Sequence, residues 1–92
     1  MALTNNDIQK ALHIRRCVRK YFERHNVNQI QAKELMHEFI ADGIFTINHK
    51  DGLPIRDFLR HVDKENHLHL IPQAHYEQKE INKNWYFNNL PV

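Results

Sequence analysis

Arg56, Arg60 and Lys64 recur every four residues, so on a helix they run along one side. A line of cations is what neutralises successive phosphates of a polyanion, while neighbouring side chains stay free to reach base edges. The plainer alternative is a solvated helix face with Asp57 and Asp63 as local salt partners.

Other chemistries find less material. The chain has no serine, one cysteine (Cys17) and two threonines, Thr4 and Thr46, which fall in a helix cap and a turn; the usual nucleophilic triads have no nucleophile. Two glycines cannot build a phosphate-cradling loop. No two carboxylates stand together in an apolar setting that would raise one pKa for acid–base work. Of eight histidines, His61, His67, His69 and His75 lie near one another. No HExxH or CxxC spacing accompanies them, and a zinc site needs three or four convergent ligands. Titrating surface imidazoles are expected, with no catalytic residue, no metal and no cofactor. A binding protein is expected, not an enzyme.

The elements that must position these residues follow from periodicity. With 92 residues, 41% hydrophobic and 26% charged, the chain suits one α+β domain over 1–92. Thr4 and Asp7 have capping-box spacing, and Ala11, Ile14, Val18, Tyr21 and Phe22 then share one side of a first helix over about 5–25. Lys10, Arg16, Lys20 and Arg24 gather opposite, a second basic face. Asn28 and Gln31 repeat the cap logic, and Ala32, Leu35, Met36, Phe39 and Ile40 predict a second helix over about 29–42, closed by Gly43. Ile44-Phe45-Thr46-Ile47 is β-prone and allows a short strand. Pro54 suits the first turn of a third helix over about 54–65, with Ile55, Phe58, Leu59 and Val62 facing inward. A hairpin over about 67–88 follows: alternation from His67 interrupted at Pro72, a polar tip at Lys79 to Lys83, and Trp85-Tyr86-Phe87 as the return strand. Alternation puts Trp85 and Phe87 inside and Tyr86 outside; the alternative is a platform for stacking bases.

Three amphipathic helices followed by a two-stranded hairpin with a polar tip resembles the winged-helix branch of the helix-turn-helix class, over about Asp7 to Phe87. The resemblance implies that the third helix enters the DNA major groove and the hairpin acts as a wing on the backbone or minor groove. It puts Arg56, Arg60, His61 and Lys64, with Lys79 and Lys83 of the wing, against nucleic acid. It implies duplex DNA as partner and a small transcriptional regulator or accessory factor as function. The family's extra strand stands between its first two helices, whereas the β-prone 44–47 segment falls between the second and third. A protein-interaction module of the same fold is the rival expectation. An edge strand at His67 to Tyr76 leaves pairing with a second copy open. The polar N-terminus and the lack of a long apolar run predict a cytoplasmic protein without membrane association.

Overall fold

Thr4 starts the first helix as its spacing predicts: its Oγ1 accepts from the Asp7 N–H at 3.1 Å and its own N–H donates to Asp7 Oδ2 at 3.3 Å. The resulting helix α1 runs Asn5–Arg24 and buries Ala11, Ile14, Cys17, Val18 and Phe22. The computed structural model describes residues 3–80 and 83–90.

The chain after α1 departs from expectation. Residues 29–31 are a strand, β1 (Gln29–Gln31), and Ala32–Leu35 is a 3-10 turn; only Met36–Ala41 forms the second helix, α2. Asn28 is not a helix cap, because its carbonyl accepts the Asn89 N–H at 2.9 Å and opens a sheet ladder. Ile30 turns inward opposite Phe87, so two exposed glutamines around one apolar residue satisfy a strand as well as a helix start. α2 ends as predicted. Gly43 is left-handed, its N–H reaches Ile40 O, and the Ile44 N–H reaches Phe39 O, burying Ile44 against the helix end. With Ile44 used in this way, the strand expected at 44–47 does not form; the segment is irregular.

The third helix, α3, spans Leu53–Lys64 and buries Ile55, Phe58, Leu59 and Val62. Left-handed Asn66 closes it in the same manner as Gly43 closes α2: Asn66 N–H bonds Asp63 O, and His67 N–H bonds Val62 O. That closure, and a 3-10 turn at Leu68–Leu70, occupy the segment where alternation suggested a strand. The turn delivers Ile71, fully buried, to the core. The hairpin therefore consists of β2 (Ala74–Gln78) and β3 (Lys83–Asn88), and Pro72 precedes the strand instead of interrupting it. The ladder ends at the pair Gln78 and Lys83; of the expected tip, residues 81–82 lie outside the described residues.

The three strands form one antiparallel sheet in the order β1-β3-β2. β3 is central, and its Trp85 and Phe87 face the helices while Tyr86 faces out, as alternation predicts. Phe87 meets Phe39 of α2 edge to face, centroids 5.9 Å apart. The three helices and one face of the sheet thus share a single apolar core.

Two left-handed glycines separate strain from packing. At Gly52, before α3, an added Cβ would lie 2.5 Å from Lys33 Cβ and 2.8 Å from Lys33 Cα; at Gly43 nothing lies within 4 Å. Gly43→Ala should cost only the left-handed penalty, about 1–2 kcal/mol, and Gly52→Ala clearly more, measured by urea denaturation. Equal costs would contradict the close approach of the loop to residue 33.

Candidate nucleic-acid interface

Because α3 turns its apolar stripe inward, Asp57, Arg60, His61 and Lys64 are left exposed on its open side, and Arg56 is half-buried at its start. β3 begins beside the last turn of this helix. Lys83 Nζ lies 3.3 Å from Asp63 Oδ2, 4.1 Å from the centre of the Tyr76 ring and 5.9 Å from that of Trp85. A cation shared between a carboxylate and two aromatic faces holds the wing to the helix. The structure therefore brings α3 and the wing together, but with Lys83 as the fastening.

The other expected contacts are similarly engaged. Arg56 Nη2 donates to the carbonyl of Lys50 at 2.9 Å, bracing the left-handed turn at Lys50 and Asp51. Arg60 pairs with Asp57 one turn before it. His61 Nε2 lies 3.3 Å from Asp7 Oδ2, tying α3 to the first turn of α1. On the wing, Lys79 and Glu77 lie 2.9 Å apart, and each holds the other charged: the lysine pKa is raised and the carboxyl pKa lowered. Of the six expected residues, Lys64 alone has neither a side-chain nor a backbone partner for its side chain among the described residues. From 53 to 83 the sequence has five cations (Arg56, Arg60, Lys64, Lys79, Lys83) against five acids (Asp57, Asp63, Glu65, Glu77, Glu80), so this stretch has no formal net charge. The Arg60–Asp57 pair is still no obstacle to a phosphate, since an exposed pair of this kind is worth about 0–1 kcal/mol.

Positive charge is concentrated on α1 instead. The second basic face divides: Lys10 lies over the Phe45 and Phe58 rings at 5.2 and 5.5 Å, and Arg24 binds Glu38 of α2, whereas Arg16 and Lys20 are exposed and unpaired among the described residues. Arg15, exposed beside them, was not part of the expected face. Nor did the sequence indicate that Lys33 and Trp85 would line a cleft with Arg56 and Lys83. Those contacts depend on β1, whose three residues carry no strand signal of their own.

Burial pushes the Cys17 thiol up to about 12, helped by the Asp42 and Glu38 carboxylates, the opposite of a nucleophilic cysteine. His67 and His69 sit 5.6 Å apart on the 3-10 turn. On the outer sheet face the His75 ring stacks on Tyr86, while His75 Nδ1 lies 2.8 Å from Asn88 Nδ2. Among the described residues no group of three or more histidine, cysteine or acidic side chains is placed to hold a metal.

Comparisons with models of known protein families, with curated protein sequences and with solved structures give no match.

Burial works against the charge of Asp7, but the Thr4 N–H, His61 and the Thr4 hydroxyl together hold its carboxyl below the ordinary value of 3.8. A lowered folded-state pKa means that Asp7 stabilises the fold above about pH 3.8 and that this contribution disappears as pH falls through its folded value. Thermal melts from pH 6 to pH 2 should show this loss, and Asp7→Asn should shrink it. An unchanged pH dependence in the variant would contradict the role of Asp7 in joining α1 to α3.

Proposed function

We propose that the chain binds duplex DNA as a winged-helix-type domain, a small cytoplasmic regulator or accessory factor that recognises and does not catalyse. One observation carries the reading: a strand stands between the first two helices and a hairpin follows the third, the order that the winged-helix class uses, with α3 exposed beside its wing. β1 removes the departure from the family order that the 44–47 segment suggested. No helix is long and apolar enough to cross a membrane among the described residues.

The balanced charge makes the reading quantitative. Arg60, Lys64 and Lys79 are the exposed cations of α3 and the wing that a phosphate can engage without dismantling the wing attachment. With about three phosphates neutralised, log affinity should fall against log salt with a slope of about −3. Affinity in the non-specific range is expected for a random duplex.

A second reading rests on α1. Its Arg15, Arg16 and Lys20 are exposed, with side chains unpaired among the described residues, and they suit an acidic protein partner.

A fluorescence-anisotropy titration with labelled random duplex at two salt concentrations tests the first reading. Binding should appear at low salt and weaken with the shallow slope above, and Arg60→Glu with Lys64→Glu should abolish it. Loss of binding on Arg16→Glu with Lys20→Glu, with the α3 variant unaffected, would overturn the α3 interface in favour of α1.

A further inference from the structure

We propose that the cleft between the 3-10 turn after β1, the start of α3 and β3 is a binding site for a phosphate group. It encloses about 200 Å³, below the roughly 300–1,000 Å³ of pockets for drug-sized ligands and suited to a small oxyanion with a few waters. Three cations from three separate elements converge there, Lys33, Arg56 and Lys83, against one acid within the lining, Asp51. The side-chain amides of Gln31 and Asn84 add further donors.

Two buried nitrogens point independently to a ligand. Trp85 is 3% exposed and lines the cleft, and among the described residues neither its indole Nε1 nor Arg56 Nε, on the same lining, has a hydrogen-bond partner. Unpaired buried donors are rare because their hydration is lost without replacement. Both groups can only donate, so a group that completes them must bring acceptors, and the surrounding charge selects an anion. Arg56 spends Nη2 on the Lys50 carbonyl, which leaves Nε for a ligand oxygen. Lys33 and Lys83 are each held by one acid, Asp51 at 3.2 Å and Asp63 at 3.3 Å. The Lys33 side chain is 40% exposed, so it can turn to the anion, while Lys83 keeps its place on Asp63 and adds its charge to the cleft. The tetrahedral oxygens of a phosphate point in several directions and can meet Arg56, Trp85 and a lysine from separate elements together, whereas the acceptor sites of a carboxylate lie in one plane.

The group could belong to a free phosphate monoester or to a nucleic-acid strand, and the site stands on its own geometry whether or not α3 meets DNA. Trp85 is the single tryptophan and therefore reports on its own site. Its fluorescence should be titrated at constant ionic strength with sodium phosphate, glycerol phosphate and a random duplex, with sodium chloride as the blank. Saturable changes with phosphate and glycerol phosphate assign a free monoester; a saturable change with duplex alone assigns a strand phosphate. Either must weaken about tenfold or more in Arg56→Gln, the loss expected for a charge-assisted hydrogen bond. Lys33→Gln is the second variant if thermal melts show Arg56→Gln unfolded. No saturable change with any of the three probes, or a change that survives both variants in folded protein, would overturn the site. A Trp85 response to phosphate with no duplex binding in the anisotropy titration would remove the DNA reading and leave this one standing.

Discussion

The burial of one residue, Phe87, holds the two halves of this structure together. It is fully buried near the C-terminal end of the central strand, opposite Ile30 of β1 and Ala74 of β2, with its ring edge to face on Phe39. Losing a buried phenylalanine costs about 3–5 kcal/mol, a large part of the 5–15 kcal/mol that holds a typical domain. β1 has three residues and, among the described residues, pairs only with β3, so it has no independent reason to exist. Once β3 is seated, its first residue lies against the end of α3, and the position of the wing follows.

That seating explains the electrostatics. A lysine at the start of β3 faces inward with Trp85 and Phe87, where a charge must find partners, and Asp63 and the Tyr76 ring supply them. Arg56 at the other end of α3 braces the turn before the helix, and His61 in the middle reaches the cap of α1. The helix proposed to meet DNA is thus tied to its surroundings by residues that the line of cations seemed to offer to a ligand. Rigidity and a modest field arise together, which suits recognition by shape and by a few side chains more than capture by charge.

Much of this architecture was legible because it is local. Thr4 with Asp7, Gly43 with Ile44, and the stripe of Ile55, Phe58, Leu59 and Val62 declare a helix start, a helix end and a buried face within a few residues. The misread segments are those where one pattern serves two structures. Gln29-Ile30-Gln31 fits the opening of a helix until Phe87, far along the chain, claims Ile30. His67 to Leu70 alternates like a strand, yet left-handed Asn66 folds it back as the closure of α3. The site was less legible still. The contacts of Lys83 with Asp63, His61 with Asp7 and Lys33 with Asp51 join residues 20, 54 and 18 positions apart, and side-chain spacing on one helix carries no information about them.

The central claim is that α3 and the wing act as one docking surface, and mapping backbone amide shifts by NMR on adding a short duplex tests it most directly. The account predicts perturbations that include Arg60, Lys64 and the residues of the wing around Lys79. Perturbations confined to Arg15, Arg16 and Lys20 on α1, or none anywhere, would contradict it.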